Sequence, residues 1–151
     1  MRLDPAEAQA RFAGSAVLRL ATADADGRPH VVPCTFAVDD SGRVVIGIDS
    51  KPKSSPNLRR LRNIAENPRV SLLADHYSGD WAQLWWARAD GTATVERAGA
   101  ERARHWALLR SKYPQYDGQV LDGPVIVVAV QSWSGWSWGA RSGWRMLPKI
   151  H

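Results

Sequence analysis

The chain has 151 residues, 44% hydrophobic and 23% charged, with a net charge of +5 and a pI near 9.9. A chain of this length reads as one domain over 1–151 that buries about 70% of its unfolded surface, so it needs neither disulfide nor metal to fold, and its lone cysteine, Cys34, excludes an intrachain disulfide. The basic balance favours anionic partners, no run approaches the roughly 18 apolar residues of a membrane span, and the amphipathic start MRLDPAEAQARFAG lacks an apolar signal core, so the expectation is a cytoplasmic protein.

Asp4 is a good N-cap with Pro5 at the first helical position and Leu3 as a staple, and this helix should end at Gly14. AVLRLAT reads as the first strand. ADADGRP is a turn, its Asp26-Gly27 pair a strong hairpin signal. HVVPCTFAV is the returning strand, and Pro33 inside it argues for a sheet edge or a bulge. DDSG is the next turn and RVVIGID the third strand. From Ser55 the pattern turns helical: Ser55 caps, Pro56 takes the first position, and Leu58, Leu61, Ile64 and Ala65 line one face until Asn67-Pro68 stops it. RVSLLAD is the fourth strand, HYSGD a loop and WAQLWWARAD the fifth strand, and Gly91 turns the chain into TATVER, the sixth. AGAERARHWALLRSKY is a longer helix that should face Ala103, Trp106, Leu109 and Tyr113 inward. GPVIVVAVQSW is the most continuous apolar strand, followed by the glycine-punctuated SGWSWGA. There is no internal repeat. Strands dominate and hairpins join them, so the chain is mainly β with flanking helices, antiparallel, and closure into a small barrel would remove its edges.

The stretch SKPKSSPNLRRLRN stands apart. The chain has 16 Arg and only 4 Lys, yet Lys51 and Lys53 sit two residues apart just before a helix start. Free N–H groups and the positive dipole end of a helix make an anion site. Lys is a compact point charge suited to phosphate, and Ser54 and Ser55 add hydroxyl donors, as does Asn57 in the first turn. The alternative is a solvated loop before an amphipathic surface helix, which is the simpler reading for Arg59, Arg60 and Arg62. Nucleic acid remains a functional option for so basic a segment, but no nucleic-acid-binding motif is present.

These segments resemble a known family. VLRLATADADGRPHVVPCTF is similar to the opening hairpin of the pyridoxamine 5′-phosphate oxidase-like, FMN-binding split β-barrels, and SKPKSSPNLRRLRNIAENPRVSLLAD to the phosphate-binding segment that follows it. DWAQLWWARADGTA and LRSKYPQY resemble the actinobacterial flavin/deazaflavin oxidoreductase branch, in particular its coenzyme F420-dependent members. The resemblance spans nearly the whole chain, and the Ala- and Arg-rich, Lys-poor usage agrees with a GC-rich bacterial genome. It implies a homodimer of split barrels with the cofactor in a groove at the interface. The acidic tail of the cofactor would be held where Lys51 and Lys53 stand, with Ser54, Ser55 and Asn57 close by. Ala21, Thr22, His30, Val32 and Pro33 would belong to the walls beside the ring. Lys51 departs from the Arg many relatives carry there, which keeps the charge and loses bidentate geometry. The tail SGWRMLPKIH has Trp144 and Arg145 but lacks the acidic-basic pair of true pyridoxamine-phosphate oxidases, which argues against vitamin B6 oxidation.

The implied reaction is hydride transfer between F420 and a small organic substrate, with the cofactor carrying the chemistry. FMN is the alternative cofactor, and a carrier that binds without turnover, a haem protein and a basic RNA-binding module are the rival functions. There is no Ser-His-Asp order, no GxGxxG and no Cys/His cluster at metal spacing, so no catalytic side chain is assigned. His76 and Tyr77 lie in a loop, where they are either proton donors or solvent-exposed. Cys34 reads as a small buried hydrophobe, and His105 as a surface or half-buried helical residue. Eight tryptophans call for an account. Trp85 and Trp86 are adjacent in a strand and so point to opposite faces, one filling the barrel and one meeting a partner. Trp133, Trp136 and Trp138 form either an aromatic wall over a planar ring or the cover of the barrel end.

Overall fold

The computed structural model describes residues 1–49 and 58–138. Helix α1 (Pro5–Ala13) opens on its expected cap: Asp4 Oδ1 accepts from the Glu7 N–H at 3.0 Å, and Gly14 closes the helix. Strands β1 (Leu18–Ala23) and β2 (Pro29–Cys34) form the hairpin read from Asp26-Gly27. The Asp24 carboxylate accepts from the amides of Asp26 and Arg28, both at 2.9 Å, and Gly27 takes a φ of 79° that favours glycine. The turn between β3 (Ala37–Val38) and β4 (Val44–Gly47) repeats the device with Asp39 and Gly42. After these come α2 (Arg59–Glu66), β5 (Arg69–His76), β6 (Trp85–Glu96), α3 (Ala100–Lys112) and β7 (Val125–Ser137). Single 3₁₀ turns occupy Trp81–Gln83 and Pro114–Tyr116.

The strands form one antiparallel sheet in the order β2-β1-β5-β6-β7-β4-β3. Its outer members β2 and β3 do not pair with each other, so the curled sheet is a half-barrel with an open seam. Pro33 lies on β2, at an edge, where a missing N–H costs no ladder bond.

Four expectations about the elements are corrected. The strand expected over 30–38 breaks at Thr35-Phe36. There the Tyr113 hydroxyl accepts from the Phe36 N–H at 3.1 Å and lies 3.0 Å from the Phe36 carbonyl oxygen, standing in for ladder partners, and the Tyr116 hydroxyl pairs with Thr35 Oγ1 at 2.7 Å. Gly91 is not a turn: β6 runs unbroken through it, with a bulge against β7 at Asp90/Gly91. A Cβ on Gly91 would lie 2.2 Å from the Ala129 carbonyl oxygen, so glycine is there for close approach. The last strand continues to Ser137 and absorbs most of the glycine-punctuated tail. Helix α2 begins at Arg59 with Leu58 as its N-cap and no side-chain cap, three residues later than Ser55-Pro56 implied. Its buried face is Leu61, Asn63 and Ile64, and Ala65 is exposed.

The core lies inside the curl. Leu18, Leu20, Leu72, Ile126 and Val128 point inward from the sheet against Ala8 and Phe12 of α1 and Leu61 and Ile64 of α2. The inward side of β6 is Ala87, Ala89, Gly91 and Ala93, small enough for α1 to sit close. A second cluster forms where α3 lays Trp106 and Leu109 against the outer side of Val45, Val125 and Val127. That half of the sheet is covered on both faces, which is why VIVV reads as an uninterrupted apolar run. On α3, Ala103 is exposed and Tyr113 half-buried. His105 is buried rather than on the surface, because Glu96 Oε1 meets its Nδ1 at 2.6 Å.

Candidate functional site

Strand alternation divides the expected wall residues between two faces. Ala21 and Pro33 point outward, with Val31 between them in the register. Thr22, His30 and Val32 point inward. Thr22 is buried, and its hydroxyl accepts from Asn63 Nδ2 at 3.0 Å, which ties β1 to α2. Val32 packs against the core. His30 is half-buried, and its Nδ1 has no hydrogen-bond partner among the described residues. Lys51, Lys53, Ser54, Ser55 and Asn57 lie outside the described residues, as do Trp144 and Arg145.

Among the described residues no element covers the outer face of β2, β1, β5 and β6, while α3 covers the outer side of β4 and the start of β7. Val31 is 60% exposed on this bare face. Ala21 stands between Val31 and Ser71 in one cross-strand row, and Arg19 between Pro33 and Leu73 in the next. Small and apolar side chains on β1 and β2 thus leave a low shelf, beside a groove of about 630 Å³ that Ala21, Ala23 and Pro29 share with Ser71, Asp90 and Gln131. The Ser71 hydroxyl donates to Asp90, and Gln131 Nε2 to Thr92 Oγ1 at 3.0 Å, which fixes the polar side of that groove.

A smaller cavity, about 270 Å³, opens between the ends of β2 and β4 and the start of α2. Cys34, Thr35, Gly47, Asp49, Arg60 and Tyr116 line it. Arg60 Nε and Asp49 Oδ1 are both buried without a hydrogen-bond partner among the described residues. A guanidinium and a carboxylate left in this state call for ligand groups. The uncapped first turn of α2 adds backbone N–H donors on the same side. Burial pushes the Cys34 thiol up, opposed by the nearby Arg60 charge, which disfavours the reactive thiolate. The sequence pattern places Arg60 on a solvated helix face, and the structure instead turns it into this cavity. A signal to the contrary was present: Asn63 and Ile64, three and four positions on, are the buried side of the same helix. Arg59 and Arg62 are exposed as expected.

The tryptophans separate cleanly. Trp85 packs against the core with Arg11 over its ring at 5.9 Å, and Trp86 faces outward with Arg88 over it at 5.9 Å, so the pair does point to opposite faces. Trp133 meets Phe12 edge-to-face at 5.0 Å and joins the core cover, while Trp136 and Trp138 stand outside it in contact with each other. Tyr77 is exposed, and His76 ends β5, also exposed. Glu96, Glu101 and His105 bring ligand atoms within 4.8 Å of one another. Arg43 pairs with Asp39 at 2.9 Å and reaches Glu101 at 3.9 Å, and Arg104 also holds Glu101. The cluster is therefore a charge-compensated ion-pair network that docks α3.

A family model described as pyridoxamine 5′-phosphate oxidase matches residues 4–137. In sequence, the chain is similar to a 5a,11a-dehydrotetracycline/5a,11a-dehydrooxytetracycline reductase of Streptomyces rimosus, 40% identical over 57 residues. That match covers 38% of each protein, so the chain spans well under half the length of this curated relative. In structure, it resembles an FAD-binding protein of Mesorhizobium loti (TM-score 0.67, 21% identity, 89% of this chain and 95% of that one). It also resembles a haem storage protein of Vibrio cholerae (TM-score 0.66, 25% identity, 91% and 95%). No helix among the described residues is long and apolar enough to cross a membrane.

Proposed function

Since the chain belongs to the pyridoxamine 5′-phosphate oxidase family, a family of oxidoreductase-like, flavin-binding split barrels, we propose that it is an oxidoreductase that transfers a hydride between coenzyme F420 and a small organic substrate. The observation that carries this reading is the bare shelf of Ala21, Val31 and Pro33 on the outer face of β1 and β2, in a sheet whose other half is covered. Flat, small-residue backbone of this kind accepts a planar ring system. The residues near the start of α2 fit an acidic cofactor tail. Arg60 offers an unpartnered buried donor, Arg59 and Arg62 present charge outward, and Lys51, Lys53, Ser54, Ser55 and Asn57 precede them in sequence. When bound, the deazaflavin ring supplies a two-electron carrier. The chain holds its tail, flattens one side of its site and keeps part of that side apolar.

The likeness to an FAD-binding protein favours a second reading, FMN in the same place. The length and charge of the F420 tail suit the exposed arginines of α2 better than a single phosphate does. A homodimer with the cofactor at its interface and a small-molecule substrate completes the proposal. The reductase relative acts on dehydrotetracyclines, and this supports an organic acceptor with a conjugated, electrophilic carbon. Side-by-side calorimetric titration with F420 and FMN, with haemin as a third arm, is the test. F420 should bind tightest, and Lys53→Ala should weaken it by about 1–3 kcal/mol, the loss of one charge-assisted contact. Equal weak binding of all three would overturn the assignment.

A further inference from the structure

Trp86 is the shared wall of two apolar grooves on the bare outer face. One, about 520 Å³, runs towards β5 past Leu73 and Tyr77. The other, about 620 Å³, runs over β7 to the first residues of the chain, between Trp86, Trp136, Ser134 and Arg2. Trp136 continues edge-to-face into Trp138 at 6.2 Å, and Trp138 into Trp81 at 6.0 Å. Edge-to-face contact leaves ring faces uncovered, and Trp81 and Trp138 are 63% and 52% exposed. This aromatic patch lies on the β6–β7 side of the face, away from Val31 and the shelf on β1 and β2, so the proposed cofactor site does not account for it, and exposed patches of this kind mark binding surfaces.

Among the described residues, the charged side chains that line the β7 groove are Arg2 and Arg88. Arg88 Nε goes to Asp90 at 2.8 Å, and its terminal nitrogens make no hydrogen bond among the described residues. Ser134 Oγ, at the floor, is buried with no hydrogen-bond partner there. Pro33, Arg19, Leu73, Arg88 and Ser134 stand in one cross-strand row, so the groove and the shelf on β1 and β2 share a face with only β5 between β1 and β6. At about 4.8 Å per strand, a molecule two or three fused rings long reaches from one towards the other.

We propose that the groove between Trp86 and Trp136 is a substrate site for planar, conjugated organic molecules that carry an acidic oxygen. The Trp136 indole and the face of Trp86 turned away from Arg88 stack on the ring system, Arg2 and Arg88 meet the oxyanion, and Ser134 bonds a carbonyl or phenolic oxygen. Calling this ligand the substrate rests on the oxidoreductase reading above, but the binding itself does not. The test is calorimetry on cofactor-free protein with three probes: anthraquinone-2-sulfonate, the uncharged 2-(hydroxymethyl)anthraquinone and cyclohexanesulfonate. The sulfonated ring should bind best and the aliphatic sulfonate not at all. Trp86→Leu should weaken the first probe roughly tenfold, as loss of a stacking platform does, with the circular dichroism and F420 affinity of the parent. Arg88→Gln should remove the preference for the charged probe over the neutral one. Probe affinity unchanged in a folded Trp86→Leu, or competition between F420 and the probe for one site, would overturn the proposal. If neither F420 nor FMN binds while the probe still does, the oxidoreductase reading falls and the groove assignment stands.

Discussion

Among the described residues, Lys112 is the cation most altered by its surroundings. It lies at the end of α3 with Nζ 2.7 Å from the Ser15 carbonyl oxygen, 3.3 Å from that of Ala13 and 3.7 Å from the Phe36 ring centroid, so it clamps α3 to the end of α1. Burial lowers its pKa to about 8 from 10.5. The unfolded chain therefore binds more protons than the folded one between about pH 8 and pH 10.5, and stability contributed by this group rises with pH across that window. The gain is complete above the unfolded value and is lost as pH falls through about 8. Urea midpoints measured for the parent and Lys112→Met should show it: the parent gains on the variant from pH 8 to pH 10. A constant difference would mean that the amine is not buried as described. Asn63 gives a second test at this scale. Its amide and the Thr22 hydroxyl satisfy each other in the interior, so Asn63→Ala should cost about 1–3 kcal/mol in urea denaturation by leaving a buried hydroxyl unpaired. Neither role was legible in the sequence. A lysine beside a tyrosine at a helix end, and an asparagine among apolar positions, acquire partners only when α1 and β1, far away in the chain, are folded against them. The same holds for Arg60 and Asp49, whose meeting in one cavity depends on where β4 ends relative to α2.

Among the elements, the turns were read most reliably, because their information is local. Asp24 to Arg28 and Asp39 to Arg43 each place an aspartate that accepts two nearby amides and a glycine at positive φ within five residues. The antiparallel sheet followed from those hairpins. What failed was the reading of glycines inside strands, since Gly91 as a turn and Gly91 as a point of close approach look alike in one dimension. The difference is measurable. Gly91→Ala drives a Cβ against the Ala129 backbone, which cannot swing aside as a side chain would. Overpacking of this kind costs about 1–3 kcal/mol or more. Gly79, with nothing within 4 Å and no positive φ, is the control, and Gly79→Ala should change the urea midpoint by less than about 0.5 kcal/mol. If the two substitutions behave alike, the bulge at Asp90/Gly91 is misplaced. The helix start was missed for a different reason. Ser55-Pro56 is a good local signal, yet tertiary packing of Leu61 and Ile64 decides where α2 becomes regular.

For the whole molecule, the decisive feature is asymmetry of cover. Among the described residues, one face of the sheet holds the main core, and the other is packed by α3 over half its width and bare over the rest, where Val31 and Leu73 are exposed. The free edges offer little to another chain. β2 carries two prolines that lack donors, and β3 is two residues long. Association through strand pairing is thus disfavoured, and the proposed homodimer is expected to form face to face through the β2, β1 and β5 part of the bare half, beside the Trp86–Trp136 groove. Arg19 there is already paired with Asp75 at 4.0 Å, so covering it strands no lone ion. Light scattering should therefore give twice the 16.7 kDa mass of the chain. The double variant Val31→Glu, Leu73→Glu puts two carboxylates on the middle of the contact and should elute at the mass of one chain. Both side chains are exposed in the single subunit, so its circular dichroism should match the parent. The variant should also bind F420 more weakly, because the proposed cofactor site is shared between copies. A parent protein that is monomeric at micromolar concentration, or a monomeric variant with undiminished F420 affinity, would separate the cofactor site from the interface and place the whole of it within one chain.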